Sequence, residues 1–291
     1  FNFEAHPMMA SAPGKIILFG EHAVVYSKHA LVSAINLRCR AKVEKSCEFR
    51  IISPLGTTGL DFGLHPYVSF AVKRFCEIKK IPGAEIKIES EIPIASGLGS
   101  SSAVTVAVLK ALSEEFSAGM SEEDILEVAK KVELDVQGRA SGIDPFISTF
   151  GGSWIFPERK KVDLSFEFFV LMLGEKSTKQ MVERVANLRQ KHFEIVENIF
   201  NAIDQLTLKA LHCNEEEFEE LIHINQSLLR AIGVSTAEID EIISKLEKEG
   251  FKVKLTGGGG GGCVFGIFRG KKPEGSFLVR TEKEGVRIES P

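Results

Sequence analysis

The sequence carries two carboxylates, Glu133 and Asp144, whose placement suits group-transfer chemistry. Glu133 lies on a predicted helix, and Asp144 follows in the next predicted loop. In phosphoryl transfer one carboxylate can hold Mg²⁺ while the other faces the attacking hydroxyl. Because most glutamates on helices are simply solvated, the pair is a weak indication until other segments support it.

A glycine-serine segment at residues 93–103 is the strongest local signal for a phosphate site. It reads Pro-Ile-Ala-Ser-Gly-Leu-Gly-Ser-Ser-Ser-Ala and lies between a predicted strand and a predicted helix. Glycines let a backbone approach a ligand closely, and the first turn of a helix presents free N–H groups that suit an anion. The segment is neither a Walker A loop nor a dinucleotide fingerprint. The alternative is a plain turn with serine caps.

Six consecutive glycines occupy residues 257–262, between two short apolar strands predicted at 253–255 and 263–268. Such a run loses conformational entropy on folding and buries no side chain. A flexible linker rarely lies between two strongly apolar strands. The run therefore favours a backbone that presses against a ligand or against the active site of the other domain.

A single cation, Lys15, begins an apolar predicted strand, and Glu21 and His22 follow that strand directly. A lone lysine is usually a solvated surface residue. Glu21-His22 is not a zinc-protease motif, since the second histidine of His-Glu-x-x-His is missing. These residues become informative only together with the glycine segments.

The composition is that of a globular protein with a core and without a broad basic surface. Of 291 residues, 44% are hydrophobic and 26% are charged, and the net charge is −4. These values argue against a nucleic-acid-binding face, and no apolar run is long enough to span a membrane. The five cysteines are dispersed and form no Cys-x-x-Cys pair, so we expect reduced thiols in a cytoplasmic protein. We expect no signal peptide at the start of the chain.

The elements that must position these residues predict an α+β fold. Strand-like and helix-like segments are mixed without strict alternation, which disfavours a doubly wound parallel sheet. The pattern is helical from 178 to 248. A polar stretch at 158–165 divides the chain into two predicted domains, residues 8–160 and 161–291.

Local patterns also predict several element boundaries. Short strands are expected at 8–12 and 15–19, on either side of a Pro-Gly pair, and a terminal strand is expected at 286–289. Capping boxes predict that helices begin at Ser121 and at Ser235.

Taken together and in this order, the segments resemble the GHMP kinase superfamily over nearly the whole chain. Residues 13–22, 93–103 and 254–264 match its three motifs. Within the superfamily, residues 20–26 and 137–144 resemble the mevalonate kinases of the short archaeal type. The resemblance implies a GHMP kinase fold, with an N-terminal ribosomal S5 domain 2-like domain and a C-terminal ferredoxin-like domain.

The resemblance also implies a role for each matched position. Asp144 and Lys15 would be the catalytic residues. Ser101 and Glu133 would ligate Mg²⁺. The residues that would bind the ATP phosphates are Pro93, Ser96, Gly97, Leu98, Gly99, Ser100, Ser101 and Ser102. Those that would contact or order mevalonate are Glu21, His22, Asp144, Thr178, Gly257 and Gly258. Because mevalonate is a small anionic acid, a cation must meet its carboxylate, and Arg139 and Lys15 are the candidates.

Four functions remain open on this resemblance. The first is a mevalonate kinase that uses MgATP in isoprenoid biosynthesis. The others are a kinase for phosphomevalonate, homoserine or another small alcohol, a decarboxylase of diphosphomevalonate, and a catalytically silent nucleotide-binding regulator. Beside Lys15, Asp144 could accept the proton late or could chiefly orient the hydroxyl. The expected partner is a small molecule, mevalonate, with no nucleic acid and no membrane, and a homodimer is left open.

Overall fold

The computed structural model describes residues 8–138, 141–174 and 178–289. Within them the chain forms two β-sheets, each covered by α-helices. The α+β class predicted from the mixed pattern is confirmed. One apolar cluster runs through both layers, and the ring of Phe19 lies edge-on against that of Phe218, with 5.0 Å between centroids. The two layers are therefore packed together rather than merely tethered.

The first sheet contains eight described strands. They are β1 (Met8–Phe19), β2 (Ala30–Lys45), β3 (Phe49–Ser53), β4 (Gly56–Thr58), β5 (Ala84–Ser90), β6 (Ser153–Phe156), β7 (Lys160–Val162) and β12 (Arg287–Glu289). Their order is β12-β1-β2-β5-β3-β4, and β6 pairs with both β2 and β7. A short 3₁₀ helix at Ala23–Tyr26 follows β1.

Pro13 and Gly14 do not interrupt β1, contrary to the prediction of two short strands. The strand continues through them with a shift of register on β2, where Pro13 faces Arg38 and Gly14 faces Ile35. Because proline has no N–H to give to a ladder, an irregularity is the ordinary way for a strand to accommodate it. The continuous strand carries Lys15 into the middle of the molecule.

Four helices accompany the first sheet: α1 (Pro66–Ile78), α2 (Ser100–Glu115), α3 (Glu122–Gln137) and α4 (Ile143–Phe150). The predicted capping box at the start of α3 is confirmed. Ser121 accepts a hydrogen bond from the N–H of Asp124, and the Asp124 carboxylate accepts one from the N–H of Ser121. This local exchange fixes the first turn of the helix.

The second sheet has the order β11-β8-β10-β9. Its strands are β8 (Glu167–Gly174), β9 (Lys254–Thr256), β10 (Gly262–Ile267) and β11 (Phe277–Arg280). The helices of this half are α5 (Thr178–Lys191), α6 (Phe193–Lys209), α7 (Glu215–Ala231) and α8 (Ala237–Lys248). Within the described residues, no helix combines the length and the apolar character that crossing a bilayer requires.

The capping box predicted at Ser235 is wrong by one residue. Thr236 is the N-cap of α8, and its hydroxyl accepts from the N–H of Ile239. The Ser235 hydroxyl is engaged elsewhere, since it donates to Asp240 at 2.6 Å and accepts from Gln226 at 3.1 Å. A side chain already bound in this way is not available to cap the helix.

The proposed division into residues 8–160 and 161–291 stays a prediction. One strand departs from it, because β12 leaves the second layer and pairs antiparallel with β1 in the first sheet. The pairing places Met9 opposite Glu289 and Ser11 opposite Arg287. The chain therefore passes between the two layers twice, once before β8 and once after β11.

Candidate active site

Lys15 and Asp144, the two predicted catalytic residues, form an ion pair between β1 and the first turn of α4. The Lys15 Nζ lies 3.2 Å from the Asp144 Oδ2. The lysine side chain is 4% exposed, whereas that of the aspartate is 26% exposed. The pair is thus backed by protein on the lysine side and open to a ligand on the aspartate side.

Glu133, on α3, reaches the same place. Its Oε2 accepts a hydrogen bond from the N–H of Gly142, which precedes α4, at 3.3 Å. Burial and the neighbouring Asp144 carboxylate raise the pKa of Glu133 to about 7, against the lowering effects of the Gly142 N–H and Lys15. The structure therefore brings together the predicted carboxylate pair and the lysine, with two carboxylates facing one cation.

The glycine-serine segment packs directly on Lys15. The N–H of Lys15 donates to the carbonyl of Leu98 at 2.8 Å. Gly99 has a left-handed backbone, with φ of 80°, and a Cβ there would lie 2.8 Å from the Cγ of Lys15. Any larger residue would have to displace that side chain. Glycine at this position lets the predicted phosphate-binding segment pack directly against the predicted catalytic lysine.

The start of α2 is suited to an anion. Gly99 is the N-cap residue and offers no side chain to the first-turn N–H groups of Ser100, Ser101 and Ser102. Such donors, together with the positive end of the helix dipole, favour a phosphate. Ser102 is only 6% exposed, and its contact with nucleotide stays a prediction.

The predicted loop before α2 is held by its own serine. The Ser96 hydroxyl donates to the carbonyl of Pro93 at 2.7 Å and accepts from the N–H of Leu98 at 3.2 Å. With Gly97, whose φ is 83°, these bonds turn the chain sharply ahead of the helix. Ser96 is 1% exposed, so its side chain shapes the loop, and contact with nucleotide through that hydroxyl stays a prediction.

The glycine run is a fixed turn against β1 and not a linker. Positive φ angles occur at Gly257, Gly259, Gly260, Gly261 and Gly262. Side chains are strained in that region of conformational space, so glycine is favoured there. The turn is anchored where the Gly260 N–H donates to the Val234 carbonyl at 3.0 Å.

The run is joined to the first motif by two further contacts. Thr256, immediately before the run, uses its hydroxyl to accept from the N–H of Ile17 and to donate to the carbonyl of the same residue, both at 3.1 Å. The His22 Nε2 lies 2.9 Å from the carbonyl oxygen of Gly258. The predicted substrate residues His22, Gly257 and Gly258 are thereby brought to the same part of the molecule.

Glu21 lies in the interior and forms an ion pair with Lys254 at the start of β9. The Lys254 ammonium also donates to the Leu255 carbonyl at 2.8 Å, and Asn225 donates to Glu21 at 3.5 Å. Burial raises the pKa of Glu21 and lowers that of Lys254, and the contact between them acts in the opposite sense on each. Glu21 is 2% exposed, and its contact with Lys254 joins the turn after β1 to β9. A role in ordering the site or in contacting substrate stays a prediction.

The sequence reasoning missed Lys254 as a partner of Glu21. The only signal was a lysine at the head of a short strand that otherwise consists of buried residues. Its side chain is fully buried, with the ammonium 5.1 Å from the centroid of the Phe265 ring. Asn225 carried no signal at all, since it lies on a helix of ordinary amphipathic pattern.

Two residues predicted to contact mevalonate, Thr178 and Arg139, stay predictions. Thr178 is the first residue of α5, and its contact with substrate stays a prediction. That helix meets the glycine run, because a Cβ on Gly260 would lie 2.8 Å from the Cγ of Met181. Arg139 lies outside the described residues.

The donor set near Asp144 fits Mg²⁺ bound partly by substrate phosphates. In the described part of the chain no cluster of three histidine, cysteine, aspartate or glutamate residues could hold a metal unaided. Mg²⁺ commonly uses one or two carboxylates and takes its other ligands from water and phosphate oxygens. Burial first, and then the Asp144 carboxylate, raise the pKa of Glu133, and a divalent cation bound there would favour its charged form.

Comparisons with known families and proteins show the family of the chain. The family model described as GHMP kinases N terminal domain matches residues 66–152, and the model described as GHMP kinases C terminal matches residues 207–278. The chain is similar to a mevalonate kinase of Archaeoglobus fulgidus, with 65% identity over 97% of this chain and 100% of the relative. It is also similar to a mevalonate kinase of Pyrococcus abyssi, with 36% identity over 97% and 98% of the two chains.

A solved structure gives the same result for the fold. The crystal structure of the Methanococcus jannaschii mevalonate kinase superposes with a TM-score of 0.82 at 29% sequence identity. The match covers 99% of this chain and all of the other. Two family models, near-complete relatives and a shared fold thus agree. The chain belongs to the GHMP kinase family and, within it, to the mevalonate kinases.

Proposed function

We propose that the chain transfers the γ-phosphoryl group of ATP to the 5-hydroxyl of mevalonate, which gives 5-phosphomevalonate and ADP. The single observation that carries the proposal is the Lys15–Asp144 ion pair, 3.2 Å long, beside the glycine-serine loop. A carboxylate paired with a cation, beside a helix start whose free N–H groups suit a phosphate, supports phosphoryl transfer. The near-complete match to mevalonate kinases supports the choice of alcohol.

Asp144 and Lys15 act on the acceptor alcohol. The 5-hydroxyl oxygen forms a bond to the γ-phosphorus as the bond from that phosphorus to the bridging oxygen of ADP breaks. The hydroxyl proton passes to the Asp144 carboxylate, which is the more exposed partner of the pair. The Lys15 ammonium stabilises the negative charge that develops on the oxygen. In a loose transition state this proton moves late, so orientation by the pair contributes as well.

The phosphates are held by backbone groups and by a metal ion. The loop at residues 93–99 and the first-turn N–H groups of α2 bind the triphosphate without a large basic patch. Ser101 and Glu133 hold Mg²⁺ in this proposal. When bound, that ion neutralises charge on the β- and γ-phosphate oxygens. Its ligands match the preference of Mg²⁺ for hydroxyl and carboxylate oxygen.

The surroundings of the reaction follow from the same proposal. Mevalonate lies between Asp144 and the turn formed by His22 and Gly258, where the two layers meet. The described cysteines are all free thiols, which supports the cytoplasmic location that we propose. The proposal needs one small-molecule acceptor and ATP, and it requires neither a nucleic acid nor a membrane.

A coupled assay of ADP release across a set of alcohols tests the function. Mevalonate is expected to give the highest kcat/KM, with phosphomevalonate and homoserine far below it. The control omits the alcohol and measures hydrolysis of ATP alone. Preferential turnover of phosphomevalonate or homoserine would overturn the choice of substrate, and release of carbon dioxide from diphosphomevalonate would show a decarboxylase. ATP binding without transfer to any alcohol would show a silent relative.

A further inference from the structure

The segment that returns from the second layer to the first runs along the end of the helix that carries Asp144. We call residues 282–289 the strap. Glu282 donates its N–H to the Ala34 carbonyl at 2.9 Å and accepts from the N–H of Gly152 at 2.8 Å. Its last residues form β12, paired with β1. The strap therefore touches β1, β2 and the residues that follow α4.

Helix α4 depends on such contacts, because it is only eight residues long. An isolated helix of this length does not form in water, since nucleation costs more than two turns return. Its last carbonyl groups also need partners from outside the helix. The strap supplies one, as the N–H of Val286 donates to the Thr149 carbonyl at 3.0 Å.

The contact between strap and helix is too close for side chains. A Cβ on Gly285 would lie 2.0 Å from the Thr149 carbonyl oxygen. On the helix side, a Cβ on Gly151 would lie 2.3 Å from the Glu284 carbonyl carbon. Glycine on both sides lets backbone press on backbone, so any displacement of the strap moves the end of α4.

Arg38 fastens the strap to the strand that carries Lys15. Its side chain is almost wholly buried, and the residue is 3% exposed. The guanidinium donates to the carbonyls of Gly285 at 2.6 Å and Glu284 at 3.3 Å. It also donates to Ser11, to the carbonyl at 3.1 Å and to the hydroxyl at 2.7 Å. Ser11 precedes Lys15 on β1, so one planar group joins the strap to both halves of the catalytic pair.

We propose that Arg38 and Gly285 are positioning residues for phosphoryl transfer, which hold the strap against α4 and thereby keep Asp144 opposite Lys15. The inference rests on the proposed function, because it takes Asp144 as the acceptor of the hydroxyl proton. Neither residue touches substrate. Arg38 and Gly285 fix the distance and angle between Asp144, Lys15 and the alcohol. A misplacement of about 1 Å can lower the rate about a hundredfold.

The test compares Gly285→Ala with Gly83→Ala, a matched control. Neither glycine has a left-handed φ, and a Cβ on Gly83 would lie 2.4 Å from the Glu48 nitrogen. That clash occurs beside Ala84, which pairs with Lys45 at the far end of β2. We expect Gly285→Ala to lower kcat by about ten- to a hundredfold while the KM for ATP stays within about twofold. Gly83→Ala should lower the melting temperature comparably and leave kcat within about twofold.

Arg38→Lys is the second variant and carries the test if Gly285→Ala does not fold. Lysine keeps the positive charge, but its ammonium group cannot reproduce the planar arrangement of donors with which the guanidinium reaches four acceptors. Its control is Arg40→Lys on the same strand, since Arg40 forms an exposed pair with Glu91 at 2.8 Å. Arg38→Lys should show the same loss of kcat at constant KM for ATP, and Arg40→Lys should not.

The outcomes separate the inference from the proposed function. The positioning role is overturned if Gly285→Ala and Arg38→Lys have the same kcat as their controls. It is also overturned if kcat and ATP binding fall in parallel, as they would after a general loss of structure. All values are taken relative to the unmodified chain, on whichever alcohol it phosphorylates. If the unmodified chain phosphorylates none, the proposed function fails and the positioning role falls with it.

Discussion

Lys15–Asp144 and Lys254–Glu21 are two of the lysine–carboxylate pairs that join distant parts of the described chain, and they differ in solvent access. In the Lys15–Asp144 pair the aspartate side chain is 26% exposed. In the Lys254–Glu21 pair the side chains are 0% and 1% exposed. The residue types are similar, so the environment decides what each pair can do. The open pair can exchange a contact for a substrate hydroxyl, whereas the sealed pair can only hold its neighbours in place.

The sealed pair has the features that make a buried charge tolerable. Removing charges from water costs more than their attraction returns unless further hydrogen bonds complete the site. Here the Leu255 carbonyl and the Asn225 amide supply those bonds. The pair ties the turn after β1 to the strand that leads into the glycine run. It therefore sets the position of His22 relative to Gly258.

Asp144→Asn should give the largest effect, because it removes the carboxylate that we propose as the proton acceptor. We expect kcat to fall by about 10⁴-fold, near the upper range for general-base groups. ATP binding should stay nearly unchanged, since the phosphate loop is untouched. Steady-state kinetics and titration with ATP measure the two quantities. The control is Asp163→Asn, at an aspartate whose side chain is 93% exposed, and turnover at the unmodified rate in Asp144→Asn would refute the role.

Lys254→Met breaks the sealed pair and leaves the Glu21 carboxylate buried without its cation. We expect the free energy of unfolding to fall by about 3–5 kcal/mol, measured by urea denaturation. Adding Glu21→Gln should restore part of the loss, because the uncompensated charge is then removed. The control is Lys42→Met, whose exposed pair with Glu44 is 3.1 Å long and should contribute less than about 1 kcal/mol. Equal losses of unfolding free energy in Lys254→Met and Lys42→Met would contradict the difference expected between the buried and the exposed pair.

Lys15→Met tests the cation of the open pair. We expect kcat to fall by about a hundredfold, the effect of removing one group that stabilises developing charge. The KM for ATP should change far less. Lys110→Met is a suitable control, because Lys110 pairs with Glu114 within α2. A loss of ATP affinity as large as the loss of kcat would instead make Lys15 a phosphate clamp.

The smallest effect concerns pH and Glu133, the third member of the open cluster. Its pKa is raised to about 7, so below that pH a proton on the carboxyl would compete with the Mg²⁺ that we propose Glu133 holds. The apparent affinity for Mg²⁺ should fall about tenfold for each pH unit below 7, and should level off above it. Activity measured against Mg²⁺ concentration at several pH values gives this slope. Ser101→Ala should lower the affinity for Mg²⁺ but keep its dependence on pH. If the same pH dependence persists in Glu133→Gln, Glu133 is excluded as its source.

Local patterns predicted those elements that depend on near neighbours. The capping box at Ser121 is one case, because donor and acceptor lie three residues apart. The box at Ser235 was wrong for a long-range reason, since Gln226 and Asp240 occupy that hydroxyl. The terminal strand was expected at 286–289, but its pairing with β1 was not. Periodicity says which residues form a strand and nothing about the partner.

The candidate site shows the same limit. Motif order predicted that Lys15, Glu133 and Asp144 belong together, and the structure brings their side chains within hydrogen-bonding or electrostatic reach. The pairing of Glu21 with Lys254 could not be read from local spacing, because it spans 233 positions. A resemblance names the positions that carry chemistry. The buried contacts that hold them arise only when distant segments pack.

The return of β12 has a consequence for how the chain is made. Ser11 and Glu289, which are hydrogen-bonded side by side, lie 278 positions apart. During synthesis on the ribosome, β1 emerges before β12, so its outer edge stays uncovered until the residues between the two strands have been made. Contacts of such separation slow folding, and an uncovered edge strand invites pairing with other chains. The first layer can therefore begin to fold alone, but its sheet acquires its last strand only after the second layer has been translated.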